Sequence, residues 1–452
     1  MSISLDPRQS LPSLLPRTSL TDEQVNAVEF ITSNPHGVII APTGVGKTII
    51  SLTAIAEIKQ KFIVAAPPKV LANWPVEAQK WDHTKHLKLT ILDGTPEERL
   101  AKLQKPADVL LVSLNSLGWL LDQKHKATAI IIDELSKAAG KQTAKLKNKK
   151  TDHIKRRYGL TATPVSESFI KLYAMFRIID GGQALGRNNQ LYLQKYFYPT
   201  DYKQYRWKLS PGSDLLIMSR IKHLIYDVKT NKADTLPPIE HEEIVFDMPT
   251  TTREIYAQMK TDLLIETETG ADAVAVNLAV LSGKLRQLCS GFVIAEDGSV
   301  IDYDHARAQT LITVLPATAL IIYEYDHQRK HIEKQMRLND KRAVSVYGGS
   351  DAKKAIKLFK DKQVDYLIAQ QNTISHGIDG LQYVTNTIIF YQPLWSNDNY
   401  VQAIGRIWRQ GSPFNIVTSI TLVCDNTIDD LVINRLNNKA AYMDLFLQHL
   451  RG

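Results

Sequence analysis

The segment Ala41-Pro42-Thr43-Gly44-Val45-Gly46-Lys47-Thr48 constrains the chain more than any other. It follows the apolar run Gly37-Val38-Ile39-Ile40 and precedes a stretch with helical spacing, so it predicts a strand, a phosphate-binding loop and a helix. Gly44 and Gly46 open backbone conformations that other residues resist, which lets successive N–H groups point into one concavity and receive phosphate oxygens. The helix beginning near Lys47 adds the positive end of its dipole. In that arrangement Lys47 reaches the β- and γ-phosphates of ATP, the Thr48 hydroxyl is a magnesium ligand, and Thr43 and Val45 complete the loop. Position 41 is alanine where a strict pattern has glycine, and a turn that merely precedes Lys-Thr is the competing reading. By itself, such a loop serves kinases, transporters and motors alike.

Its surroundings narrow the choice. From Gly37 to Thr161, short apolar runs (Val38–Ala41, Phe62–Ala66, Leu89–Leu92, Val109–Val112, Ala129–Ile132) alternate with longer helical patterns. Near-continuous apolar strands between helices indicate an α/β domain with a parallel sheet covered on both faces. Asp133-Glu134 closes the last run. Ligands of parallel sheets bind beyond the carboxyl ends of the strands, so this carboxylate pair faces the same crevice as the loop. Asp133 then holds magnesium through its water shell, and Glu134 orients or deprotonates the attacking water. A solvated acidic turn is the plainer alternative.

Ahead of the loop, residues 1–19 read as an irregular arm, and Leu20-Thr21-Asp22-Glu23-Gln24 opens a helix capped by Thr21 or Asp22. Beyond Asp133-Glu134, nine basic residues from Lys137 to Arg157 share their segment with one acid, Asp152. Lys145, Lys147, Lys149 and Lys150 are candidates for phosphate contacts on DNA, against the ordinary reading of a solvated loop. Aromatic residues concentrate between 165 and 236, where helical spacing favours core packing over base stacking. Leu236-Pro237-Pro238 reads as a linker. Strand patterns resume at Ile244–Phe246, Leu320–Tyr323, Ala343–Val346, Tyr366–Ala369, Thr387–Tyr391 and Val417–Val423, with residues 270–318 read as helical around a turn at Asp297-Gly298. This second α/β layer carries no phosphate loop of its own. Gln402–Gly411 reads as a helix on which Arg406 and Arg409, three apart, share a face and neutralise charge on a transferred phosphoryl group across a domain cleft.

The 452 residues have room for two or three cores. A formal charge of +8 favours an anionic partner. Two cysteines, Cys289 and Cys424, cannot build a disulfide framework or a cysteine zinc cluster, and are expected to be small buried residues of a cytoplasmic protein. With no uninterrupted apolar stretch of bilayer length, no membrane association is expected.

Taken in order, these segments resemble superfamily 2 helicases and translocases, most closely the Swi/Snf branch in the compact form seen in tailed phages. The resemblance runs from about Leu20 to Leu431. It places Gln24 in the adenine-reading Q motif, Gly44 to Thr48 in motif I, Pro67 with Asn73-Trp74 in motif Ia, and Asp133-Glu134 in motif II. Thr161-Ala162-Thr163 then matches motif III, Leu320 to Tyr325 motif IV, Ser375 to Gln382 motif V, and Gln402 to Arg409 motif VI. Motif II reads Asp-Glu-Leu-Ser, with Ser136 where the family has histidine, and motif V departs from the usual pattern beyond Gly377 and Asp379.

The resemblance implies two RecA-like parallel-sheet domains in tandem with helical protrusions. They are residues 1–236, with a protrusion at about 165–236, and residues 237–452, with a helical insertion at about 250–318. It implies ATP and magnesium as cofactors, Asp379 and Gln402 as further ATP contacts, and Pro67, Asn73, Ser375 and Gly377 as DNA contacts. The implied activity is a DNA-dependent ATPase and helicase that moves on duplex, forked or branched DNA, with branch migration in replication, recombination or repair as its task. Stripping proteins such as RNA polymerase from duplex DNA is an alternative task for the same motor. A non-catalytic annealing or clamp protein and a P-loop kinase are alternatives of other classes.

Overall fold

The computed structural model describes residues 14–42, 44–138, 145–146, 151–165, 168–202, 204, 206–229, 236–268, 274–347, 351–374, 380–409 and 411–451. The chain forms two compact units, Met1–Thr230 with Tyr442–Gly452, and Asn231–Ala441.

In the first unit the strands are β1 (His36–Ile40), β2 (Phe62–Ala66), β3 (Leu89–Ile91), β4 (Val109–Ser113), β5 (Ala129–Asp133), β6 (Arg156–Thr161), the small pair β7 (Phe197–Pro199) and β8 (Trp207–Leu209), and β9 (Ile225–Asp227). Seven of them form a parallel sheet in the order β3-β4-β2-β5-β6-β1-β9. Alternate residues of one strand enter separate cores: Val38 and Ile40 pack on one face, Ile39 and Ala41 on the other, and β2 and β5 divide the same way. This two-sided burial is why the strands read as unbroken apolar runs instead of alternating ones.

The aromatic segment belongs to one of these cores. Phe169, Phe176, Tyr192, Tyr196 and Phe197 are buried among the residues of β1, β4 and β5, and the helix Ile170–Ile179 supplies much of that layer. Their spacing therefore reports packing, although Tyr202 is fully exposed.

The second unit repeats the design with β10 (Ile239–Phe246), the hairpin β11 (Phe292–Ile294) and β12 (Val300–Asp302), β13 (Ala319–Tyr323), β14 (Ala343–Val346), β15 (Tyr366–Gln370), β16 (Thr387–Phe390) and β17 (Val417–Cys424). Its parallel sheet runs β10-β17-β16-β13-β15-β14, and again alternate residues, such as Leu320 and Ile321, enter opposite cores. Two such sheets in one chain bear out the tandem RecA-like α/β class. Residues 270–318 are less uniformly helical than their sequence suggests. Helices Val274–Leu288 and Ala306–Thr313 flank the β11–β12 hairpin, which turns at Asp297-Gly298, where Gly298 has φ +83°.

Arg307 lies at the centre of this unit. It is 1% exposed, donates to the carbonyls of Cys289, Tyr391 and Leu422 at 2.8–2.9 Å, and pairs with the buried Asp429. Both cysteines are free and buried nearby. Among the described residues, no helix is long and apolar enough to cross a membrane.

Candidate functional site

Strand order brings the predicted catalytic segments together in the first unit. β6 lies between β5 and β1, with Ile40 level with Thr161 and Asp133 level with Leu160. Ala41 N–H donates to the Thr161 carbonyl at 3.0 Å, extending the ladder into the loop. The phosphate-loop strand, the Thr161 strand and the Asp133-Glu134 strand thus end side by side, spaced by about 4.8 Å per strand.

The loop enters the helix Lys47–Ile58 through Gly46, which has φ +85° and serves as its N-cap. A Cβ at Gly46 would sit 2.6 Å from the Gln24 amide nitrogen, so a side chain there is excluded by both backbone and space. Gln24 explains that closeness. Its Oε1 accepts from Thr21 N–H at 2.9 Å in a capping box, while its Nε2 donates to the Val45 carbonyl at 3.0 Å. The side chain that the resemblance assigns to adenine also holds the phosphate loop in shape. Lys47 Nζ donates to the carbonyls of Ala41 and Pro42 at 2.9 and 3.2 Å. Thr48 lies in the first turn of the same helix.

At the end of β5, Glu134 adopts φ +59°, a left-handed conformation that costs a residue with a Cβ about 1 kcal/mol. Its N–H donates to Asp133 Oδ1 at 3.1 Å, and its carbonyl accepts from Lys137 N–H at 2.9 Å, opening the short helix Leu135–Ala138. Leu135 then packs onto β6 at Gly159, where an added Cβ would meet its Cδ2 at 2.3 Å. Burial, followed by the charge of Glu134, pushes the Asp133 carboxyl up to about 6 against the pull of the Lys47 ammonium. The Asp133 carboxyl and the Thr48 hydroxyl are oxygen donors of the kind that a hard divalent cation such as magnesium takes.

Ser136, in the position of the missing histidine, takes over a local connection. Its Oγ accepts from the Thr161 hydroxyl at 3.4 Å, and Thr161 Oγ1 accepts from Thr163 N–H at 3.1 Å. The acidic segment and the Thr161–Thr163 segment are therefore joined through hydroxyls.

The basic segment is largely structural where it is described. Lys145 donates to the Gly118 carbonyl at 2.9 Å and pairs with Asp122. Arg156 Nη1 caps the helix Asp22–Ser33 through the carbonyls of Ile31, Thr32 and Asn34. Arg157 is buried on the carbonyls of Leu146, Thr151, Ile154 and Ile178. Pro67 is buried after β2, whereas Asn73 is exposed at the start of the helix Asn73–Ala78. Thr43, Lys147, Lys149, Lys150, Ser375, Gly377 and Asp379 lie outside the described residues.

In the second unit the expected helix through Arg406 and Arg409 ends early. It spans Asn397–Ile404 and is capped at Gly405, and Arg406 to Trp408 continue in turns. The two arginines therefore do not share a helix face. Arg406 is 8% exposed, and Arg409 donates to the Gly405 carbonyl at 2.6 Å. Burial draws the Arg409 guanidinium below its ordinary range. Trp408 fixes the turn by donating to the Pro237 carbonyl at 2.7 Å. Gln402 is buried, and its Oε1 has no hydrogen-bond partner among the described residues.

Comparison with known proteins supplies the family. A model of the SNF2-related domain matches residues 23–291, and a model of the helicase conserved C-terminal domain matches residues 307–411. Putative protein p41 of Acyrthosiphon pisum secondary endosymbiont phage 1 is 25% identical over 442 residues, covering 91% of this chain and 94% of its own. Nuclear protein STH1/NPS1 of Saccharomyces cerevisiae is 23% identical, covering 95% of this chain and 35% of its own. The DNA repair and recombination protein RAD54-like of Mus musculus is 21% identical, covering 90% of this chain and 62% of its own. The chain thus spans nearly all of the phage protein but less than two thirds of the two eukaryotic ones. With the SNF2-related model matched over more than half of its 452 residues, the chain belongs to the SNF2-related family, as an ATPase of the helicase class that carries a helicase C-terminal domain in the same chain.

Proposed function

We propose that the chain is a DNA-dependent ATPase that moves on duplex or branched DNA and remodels forks and junctions, using ATP with magnesium in a cytoplasm. The observation that carries this reading is the register that sets the phosphate loop, Thr161 and Asp133-Glu134 on three adjacent strand ends. In this reading, the backbone N–H groups of residues 44–48 and the Lys47 ammonium bind the phosphates. Asp133 and Thr48 hold magnesium, which when bound screens phosphate charge. Glu134, fixed by its left-handed backbone, orients the attacking water and takes its proton. Arg406 and Arg409 neutralise charge developing on the phosphoryl group.

The match to a DNA repair and recombination protein of mouse, and a formal charge of +8, support DNA as the track. Two measurements test the reading. ATP turnover should rise several-fold on adding duplex DNA, and the absence of stimulation overturns the motor. A mobile four-way junction should be resolved faster than a linear partial duplex; equal rates remove the junction role, and release of a stalled RNA polymerase in its place would assign the chain to protein displacement.

A further inference from the structure

A cluster in the second unit has the composition of a metal centre. The helix Asp326–Leu338 carries His327 and His331, four residues apart and therefore on one face. The β11–β12 hairpin ends at Asp302, whose Oδ1 lies 2.7 Å from His327 Nε2 and 2.8 Å from His331 Nε2. All three candidate ligand atoms fall within 4.8 Å of one another. One carboxylate oxygen thus serves two imidazoles from successive helical turns.

The surroundings are those of a built site. His331 is 3% exposed, and the Phe292 ring packs against both imidazoles, with centroid distances of 4.8 Å to His327 and 5.8 Å to His331. A third imidazole, His305, stands 4.5 Å from His331, and its own Nε2 contacts Lys334 Nζ at 3.3 Å. The Nδ1 atoms of His327 and His331 are buried and have no hydrogen-bond partner among the described residues, so only the Nε2 atoms converge on a shared point. The Asp302 side chain is half-exposed and leaves one side of that point open to water.

We propose that Asp302, His327 and His331 form a binding site for a divalent transition cation of the zinc class, which pins the β11–β12 hairpin to the helix Asp326–Leu338. Two imidazole nitrogens and one carboxylate oxygen are a zinc donor set, and water takes the fourth position. Bonds of about 2.0–2.1 Å in a tetrahedron space the ligand atoms by about 3.3 Å. The Asp302–imidazole spacings of 2.7 and 2.8 Å reach that value when the half-exposed Asp302 side chain withdraws by about half an ångström. The cation takes the place of the two Nε2 protons, each neutral imidazole shifting to the tautomer that carries its proton on Nδ1.

The test uses the full chain, free of any affinity tag and of nucleotide, stripped with a chelator and titrated with Zn2+ against a chromophoric competitor. One equivalent should bind tightly and raise the thermal midpoint. Asp302→Asn and His327→Gln should each weaken binding by more than the roughly 10–100-fold that follows loss of an outer-shell partner, with the unliganded thermal midpoint of each variant reporting any cost to folding. Each should also abolish the thermal shift. The proposal is overturned if the wild-type chain binds no more Zn2+ than the Asp302→Asn/His327→Gln double variant, or if the two bind equally while the midpoint rises in both.

Discussion

In the first unit the end of β5 carries groups held in costly states, whereas in the second unit the charge at the end of β13 is neutralised where it stands. Asp133 keeps its carboxyl partly buried and pushed up to about 6, beside a glutamate in a left-handed conformation. Glu324, directly after β13, is instead paired with Arg286 at 2.7 Å and accepts from Gln392 Nε2 at 2.8 Å, and Arg286 also donates to the Pro393 carbonyl at 2.7 Å. Both sheets are parallel, covered on both faces and filled by the same alternation of Ile, Leu, Val and Ala. The architecture therefore does not separate the units, and the treatment of charge does. Strain and a raised carboxyl mark the strand end suited to chemistry, while close ion pairs mark those that hold the scaffold.

The sharpest way to break this contrast is Glu134→Gln. ATP turnover in the presence of duplex DNA should fall by about 10^3-fold, within the range for a lost general base, while DNA binding survives. A loss under about tenfold would remove the first unit's claim to the chemistry. On the scaffold side, Arg307→Met leaves Asp429 buried without its guanidinium and should cost about 3–5 kcal/mol in denaturant unfolding of the second unit. If Arg307→Met/Asp429→Leu recovers most of that loss, the pair is structural; if neither variant moves the transition, the second unit's charges are not what holds it.

A smaller effect is expected from pH. The Asp133 carboxyl titrates near 6 in the folded chain against an ordinary 3.8, so the folded state holds the proton more tightly. Below about 3.8 both states are protonated and no penalty exists. As pH rises through the window to 6 the penalty grows, and it is complete above. Asp133→Asn should therefore match the wild type at pH 3.5 and exceed it at pH 7.5 by roughly 2–3 kcal/mol in the absence of nucleotide. An equal difference at both pH values would mean that the carboxyl is not perturbed. The least effect is expected from Ser136→Ala, which removes a 3.4 Å hydroxyl contact and should change stability by under about 1 kcal/mol and turnover only a few-fold.

Particular residues show how much could be read in advance. Phe62–Ala66, Val109–Ser113 and Ala319–Tyr323 were legible as strands because burial on both faces leaves no polar alternation to confuse them. The phosphate loop and Asp133-Glu134 were legible because their chemistry restricts residue type at fixed offsets from a strand. Ile225–Asp227 was not, since three residues at a sheet edge carry no period. The β11–β12 hairpin was hidden for the same reason. Arg406 and Arg409 misled because a three-residue spacing implies a common face only inside a helix, and Gly405 ends that helix first. The pattern His-x3-His at 327–331 was present in the chain, but its partner Asp302 lies 25 residues away and only the hairpin brings it near.

What the sequence determined by itself was the set of strands and the identity of the reactive groups, because both depend on local composition: apolar runs that must be buried, glycines that must bend, and carboxylates at strand ends. Which strands become neighbours, and so which groups meet, was decided only by tertiary structure. The placement of β6 between β1 and β5 sets the strand end before the phosphate loop close to the strand end that carries Asp133-Glu134. The same folding turns Gln24 from a distant helix residue into the brace of that loop, and gives Asp133 a titration that no isolated Asp-Glu pair would have, because desolvation exists only once the sheet has closed around it.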